Sequence, residues 1–305
     1  MAVATKHVLV QGPVLGTLAR TALQALRRRE GGQALPPTPG PEQRRRIPPL
    51  PADLVRDYIR HVGGDPAAYA GRVPHHLFPQ WTFPIAARTL ADVPQPLHKI
   101  INAGCRLEFR GPLPVGEALL ATAQLQSIED DGHALRMQQR ITTSSSTHVH
   151  ALVADLFSQV TYARPAANEG ARPRRPRPRV PVEAREIARW SLRTTAGLDF
   201  AKLTGDFNPI HWVPSYARMA GFRNTILHGF STLARTIESL QRNAFAGSTH
   251  ALAAIDVRFR APLVLPARVG VFLAGDDEVF VGDAPGGPAY LTGRYELRAR
   301  GETDE

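Results

Sequence analysis

Thr204-Gly205-Asp206-Phe207-Asn208-Pro209-Ile210-His211, followed seventeen residues after the histidine by His228-Gly229-Phe230, is the stretch on which the reading of this 305-residue chain turns. It sets a carboxylate and an imidazole five residues apart across a turn that Gly205, Asn208 and Pro209 keep from being helical. Two titratable groups held that close can share one water. Beyond it, Phe230, Leu233, Ala234, Ile237 and Leu240 recur at helical spacing, which predicts a long, largely apolar helix from about Gly229 to Gln241. Alternating sequence then predicts strands near 251–261, 266–274, 277–283 and 289–300.

The same order recurs upstream. Phe109-Arg110-Gly111-Pro112-Leu113 matches Phe259-Arg260-Ala261-Pro262-Leu263 at an offset of 150, which also sets Leu77 against Leu227 and aligns the helices expected to begin near Phe78 and His228. Strands are expected near 104–111, 117–128, 132–145 and 149–162 in this first copy. Val62-Gly63-Gly64-Asp65 resembles Leu203-Thr204-Gly205-Asp206, which sets Asp65 against Asp206. The first copy is nine residues shorter where the second carries Asn208, Pro209 and His211, and Pro66-Ala67-Ala68-Tyr69 supplies no imidazole. One copy is equipped for chemistry and the other is not. A buried helix against consecutive antiparallel strands is an α+β layout, here built twice.

The run GDFNPIH, the short helix expected from Ser215 to Met219, Ala220-Gly221-Phe222 and Ile226-Leu227-His228-Gly229 together resemble the signature of the MaoC-like, or hydratase 2, family. The resemblance implies a tandem (double) hotdog, each copy an antiparallel sheet wrapped around a long central helix. It divides the chain into a basic, Pro-rich extension (1–50), a hotdog without the catalytic motif (51–165), an Arg/Pro-rich linker (166–181) and a catalytic hotdog (182–305). It implies reversible hydration of trans-2-enoyl thioesters to (R)-3-hydroxyacyl thioesters, with coenzyme A or an acyl carrier protein as carrier and no cofactor or metal. By the same resemblance Asp206 and His211 are the catalytic pair around one water, and the Gly229 N–H is the donor to the thioester oxygen. Asn208 is a candidate substrate contact, although asparagine before proline also serves ordinary turn chemistry. His228 is read as a hydrogen-bonding residue beside the site. Two alternatives stay open: a hotdog acyl-thioesterase, and a non-catalytic acyl-binding subunit.

Composition narrows the partners. The formal charge of +10 is concentrated in residues 1–50, with eight Lys or Arg against two acids, and in residues 164–189, with eight Arg against three Glu. The body between them is nearly neutral, which argues against a nucleic-acid-reading surface. The single cysteine, Cys105, cannot form an internal disulfide, and cytoplasm is the default compartment. No apolar run is long enough to span a membrane. Residues 1–29 read as a poorly ordered or loosely docked extension, and Arg172–Pro181 as a stiff, extended connector. Two fused copies can make the contacts of a single-hotdog dimer within one chain, and a homodimer of whole chains is a further expectation. His148 and His150 sit at one-face spacing on an expected strand without a supporting ligand cluster, His75-His76 reads as a bare loop pair, and Cys105 as a buried apolar residue. Neither a phosphate-loop pattern nor a dinucleotide fingerprint is present.

Overall fold

The computed structural model describes residues 3–17, 34–95, 100–162 and 177–299. Residues 18–33 of the extension and 166–176 of the expected linker lie outside them. The first copy runs β1 (Gln43–Ile47), α1 (Ala52–Val62), α2 (Pro79–Thr89), β2 (Ile101–Phe109), β3 (Leu119–Asp130), β4 (Ala134–Ser144) and β5 (Leu152–Thr161). The second runs β6 (Arg185–Leu192), α3 (Ala196–Thr204), α4 (Pro214–Met219), α5 (Gly229–Asn243), β7 (Leu252–Phe259), β8 (Ala267–Ala274), β9 (Glu278–Gly282) and β10 (Ala289–Leu297). No helix among the described residues is long and apolar enough to cross a membrane.

All ten strands join one antiparallel sheet in the order β1-β3-β4-β5-β2-β7-β10-β9-β8-β6, so the second half repeats the first in reverse. The two halves meet where β2 pairs with β7. There Arg106 faces Asp256, its counterpart at the repeat offset, while Gly104 faces Arg258 and Glu108 faces Ala254. Pairs that exchange under the offset are the mark of a two-fold axis through the seam. The sheet wraps a large core that mixes both copies: Leu107 and Phe78 from the first, Leu233, Ile237, Ile255 and Val257 from the second, each at most 1% exposed.

The strands expected at 104–162 and 251–300 form within a few residues of their expected ends. The two opening strands, β1 and β6, were not expected. Their sequences, QRRRI and REIARWSL, carry arginines outward, and they form the two edges of the sheet. Charged edges discourage pairing with a second sheet, and the same charges disguise the strands. Because Gln43–Ile47 pairs with Leu119–Ala123, the sheet of the first copy begins inside the segment read as an extension.

The beginning of that segment also differs from a loosely docked extension. Residues Thr5–Gln11 form a 3-10 helix, and His7, Gln11 and Val14 are buried. The Gln11 side-chain amide donates to the carbonyl oxygens of Leu203 (2.9 Å) and Lys202 (3.3 Å), in the last turn of α3, where no intrahelical N–H is available. Lys202 returns a hydrogen bond to Val3 O (3.1 Å), His7 Nε2 meets Asp57 of α1 at 2.9 Å, and Lys6 pairs with Asp53. The segment therefore straps α1 of one copy to α3 of the other.

The internal match also shifts. The sequence comparison sets Leu77 against Leu227, whereas the backbone sets Val73 there. Val73 N–H donates to Leu113 O (2.7 Å) as Leu227 N–H donates to Leu263 O (2.8 Å), and Val115 N–H to Gly71 O (2.9 Å) as Leu265 N–H to Thr225 O (2.8 Å). The slip is four residues, and the turn His75–Leu77 lies between Val73 and α2. Likewise α1 ends at Gly63 (φ 96°) and α3 at Gly205 (φ 82°), both left-handed caps, so Gly64 rather than Asp65 stands where Asp206 stands. Asp65 is instead the turn-closing residue, accepting from Ala67 N–H (2.9 Å) as Asn208 accepts from Ile210 N–H (3.3 Å).

Gln11→Ala would leave buried carbonyls at the end of α3 without a donor, an expected loss of about 1–3 kcal/mol in unfolding free energy by urea denaturation. A loss below about 0.5 kcal/mol, the range of surface substitutions, would show the strap to be undocked in solution.

Candidate functional site

Helix α3 stops at Gly205 because the left-handed φ there turns the chain out of the helix, and Asp206 is the first residue of the turn that follows. Asp206 Oδ1 accepts from Asn208 N–H (3.2 Å), and Asn208 Oδ1 accepts from Ile210 N–H (3.3 Å), so two side chains in succession close the loop on itself. Pro209–His211 then forms one 3-10 turn that carries His211 inward. Asn208 spends its oxygen on the loop, the turn chemistry expected of asparagine before proline. Trp212 Nε1 donates to Phe207 O (3.1 Å) and fastens the outer side of the same loop.

The loop brings the two expected residues together with a third. One side-chain ligand atom from each of Asp206, His211 and His228 lies within 4.8 Å of the others. The Asp206 carboxylate remains partly open at 32% side-chain exposure, while both imidazoles are buried. His211 Nδ1–H donates to Ile226 O (2.8 Å), so in the neutral ring the lone pair sits on Nε2. His228 Nε2–H donates to Asp206 O (3.0 Å), with its ring stacked on His211 at 3.6 Å between centroids and 24° between planes. Phe200 closes the far side of His228 at 4.9 Å. His228 thus holds the loop backbone at Asp206 and backs the His211 ring, the neighbouring hydrogen-bonding part read for it.

Burial sets the charge of the pair. It lowers the pKa of His211, more than the nearby Asp206 carboxylate raises it. It lowers that of His228 to about 3, with His211 adding to the effect. Both rings are therefore neutral at pH 7. His228 Nδ1, buried and without a hydrogen-bond partner, agrees with a neutral ring. Among the described residues this is also where three metal-ligating side chains converge. A metal ion needs lone pairs aimed at one point, whereas those of two nearly parallel stacked rings run side by side, and one His228 nitrogen is already donating. The arrangement suits a water better than an ion.

Gly229 begins α5 with His228 as its N-cap, so its N–H is one of the first-turn donors that no intrahelical carbonyl satisfies. A methyl group at Gly229 would stand 2.8 Å from the Phe259 ring, so glycine is required here by close packing. The strap adds a support that sequence reasoning missed. A side chain at Gly205 would meet Val14 Cβ at 2.7 Å, which places the N-terminal segment directly behind the turn that carries Asp206. Gln11, buried yet preceding the whole repeat in sequence, carried no local signal of that contact.

The other histidines settle elsewhere. His75 and His76 are not a bare loop pair: they open a helical turn, and His76 is buried against Tyr58 (3.1 Å), Tyr69 (3.1 Å) and Glu238 (3.1 Å). His148 and His150 lie in the turn between β4 and β5 rather than on a strand face. Cys105 is fully buried, and burial pushes its thiol pKa up, away from nucleophilic use.

Comparison with known proteins follows this geometry. Residues 167–277 match the family described as MaoC like domain. Enoyl-CoA hydratase 2, peroxisomal, of Arabidopsis thaliana is 28% identical over 50% of this chain and 52% of its own length. The 3-hydroxyacyl-thioester dehydratase X of Mycobacterium tuberculosis is 35% identical over 26% of each chain. The chain thus spans about half the length of the plant relative and a quarter of the mycobacterial one. Among solved structures, HtdX of M. tuberculosis matches with a TM-score of 0.67 at 18% identity, over 85% of this chain and all of that one. A second M. tuberculosis protein, described as having a double hotdog fold, matches with a TM-score of 0.54 at 16% identity, over 85% of this chain and 96% of that one. The fold is a double hotdog.

Buried neutral imidazoles make stability acid-sensitive. In the unfolded chain both histidines titrate near 6.5, above their folded values, so their contribution is complete above that pH and is lost as pH falls toward the folded pKa, about 3 for His228. Urea unfolding between pH 7.5 and 4.5 is expected to show a decline of up to about 1.4 kcal/mol per pH unit for each such group, shallower in His228→Gln. Equal slopes in the two proteins would contradict a neutral His228.

Proposed function

We propose that the chain, a double hotdog whose residues 167–277 match the MaoC like domain, hydrates trans-2-enoyl thioesters to (R)-3-hydroxyacyl thioesters and runs the reverse dehydration. The observation that carries the reading is the convergence of an open carboxylate and a neutral imidazole beside the start of α5. In hydration, a water held between Asp206 and His211 gives its proton to His211 Nε2, the nitrogen left basic by the bond of Nδ1–H to Ile226 O. The hydroxide oxygen adds to the β-carbon while negative charge moves onto the thioester oxygen. The Gly229 N–H and the positive end of α5 stabilise that oxygen. His211 then returns the proton to the α-carbon on the same face, so one water supplies both added groups. Asp206, with Oδ1 tied to Asn208 N–H, uses its second oxygen to orient the water. Asn208 serves this site by shaping the loop.

The first copy contributes no acid–base pair, with Gly64 and Pro74 at the places of Asp206 and His228, and we assign it the housing of the acyl chain. The carrier we assign is coenzyme A or an acyl carrier protein, and the compartment the cytoplasm. The names of the plant and mycobacterial relatives support the hydratase–dehydratase class over the thioesterase alternative.

Asp206→Asn and His211→Ala are each expected to lower kcat for crotonyl-CoA or a longer enoyl-CoA by about a hundredfold or more, with far-UV circular dichroism retained. Loss of enoyl absorbance without release of thiol identifies hydration, and thiol release identifies hydrolysis. Wild-type turnover in either variant ends the proposal. Because the basic form of His211 persists below the ordinary imidazole range, kcat/KM for hydration is expected to stay level from pH 8 down through about 6.5 and to fall only in more acid solution.

A further inference from the structure

The two-fold relation between the copies implies a second mouth, and the structure holds a cleft at that place. It lies between the copies, open to solvent, and is lined by Arg72, His75, Phe109 and Gly111 from the first and by His250 and Arg298 from the second, among others. The match to the catalytic mouth is residue by residue. Arg72 bridges to Pro114 as Ile226 bridges to Val264, so Arg72 occupies the place of Ile226. With Val73 at the place of Leu227, His75 falls at that of Gly229, while Phe109 and Gly111 stand where Phe259 and Ala261 stand.

What has changed between the two mouths is charge. The first copy has lost the acid and the imidazoles and brings Arg72 and His75, the second copy adds Arg298 and His250, and no carboxylate side chain is in the lining. Arg72 is held by neutral acceptors, Nε donating to Tyr69 O (3.0 Å) and Nη1 to His250 Nδ1 (3.3 Å), which leaves its charge uncancelled by an ion pair among the described residues. Arg298 Nη2 donates to Phe109 O (2.7 Å), and His75 Nε2 to Gly111 O (2.8 Å). These bonds fix the groups on backbone of the first copy, with Arg72 also held by the His250 side chain of the second. The neighbouring acid, Glu238, is buried beneath the floor, where it takes the Tyr69 hydroxyl (2.7 Å) and meets His76 Nε2 (3.1 Å).

We propose that this cleft is an anion site that takes a phosphate group, held by Arg72 and Arg298 with His250 and His75 at its rim. The planar fork of a guanidinium matches two phosphate oxygens at once, and two such groups fixed by backbone carbonyls lose little freedom on binding. Two sources carry this chemistry: free phosphate or pyrophosphate, and the phosphates of coenzyme A, the second resting on the function proposed above.

Calorimetric titration of the Asp206→Asn protein with pyrophosphate and, separately, with coenzyme A tests the site without turnover. Binding of either ligand that Arg72→Gln weakens about tenfold or more, and that Arg72→Lys largely retains, supports it. Pyrophosphate binding identifies a site for phosphate itself, and binding of coenzyme A alone identifies the carrier as the source. Arg298→Gln provides the same comparison if Arg72→Gln does not fold. On an otherwise wild-type chain Arg72→Gln is expected to keep the wild-type kcat for crotonyl-CoA, with KM raised where coenzyme A is the ligand. The proposal is overturned if neither ligand's affinity depends on Arg72 or Arg298, or if Arg72→Gln lowers turnover as far as Asp206→Asn does. A chain inactive on every enoyl-CoA would leave the pyrophosphate result readable.

Discussion

The antiparallel seam between β2 and β7 is the contact from which the rest of the molecule follows. Five residue pairs, centred on Arg106 and Asp256, turn two five-stranded sheets into one continuous sheet with a local two-fold axis. With backbone hydrogen bonds continuous across the axis, α2 and α5 must share one apolar core, and a cleft bounded by both copies must arise twice. Selection could then treat the two clefts separately. The second copy keeps an acid, two imidazoles and a helix start at its mouth, whereas the first has Gly64, Pro74 and His75 at the places of Asp206, His228 and Gly229, and Arg72 at that of Ile226.

At the equipped mouth the governing quantity is the cost of charging a buried ring. His211 and His228 stack face to face and each gives one N–H to a carbonyl, so both are satisfied as neutral bases. A proton on either would be buried beside the other ring with little water to screen it. The Asp206 carboxylate, the most open of the three, and the carbonyls that accept from the rings offset part of that cost. The site is poised to accept a proton briefly during a reaction and poorly suited to holding one at rest. Its geometry in turn depends on the Gly205 cap, and that cap depends on a segment near residue 14 packed behind it. The strap joins the helix layer of one copy to the loop chemistry of the other.

Much of this was legible in the chain. Helix α5, the strands β2–β5 and β7–β10, and the turn carrying Asp206 and His211 are written in local periodicity and turn chemistry, which act over a few residues. The edge strands β1 and β6 were not, because arginines on their outer faces carry the signal of a solvated tail. The register between copies was not either: a repeated Leu or Gly-Asp is a similarity of letters, whereas the left-handed caps at Gly63 and Gly205 and the paired hydrogen bonds at Val73 and Leu227 define equivalence in space. His228 was read beside the site, but its stacking on His211 was invisible in sequence.

By itself the sequence determined two α+β copies, the loop that can hold a carboxylate near an imidazole, and the absence of that pair from the first copy, since each rests on residue types at short spacing. Only the tertiary structure decided that the rings are neutral, that His211 presents Nε2, that residues 3–17 brace the turn carrying Asp206, and that the second mouth carries two guanidinium groups. Those properties depend on burial and on contacts between residues far apart in the chain, and neither exists until the sheet closes around its core.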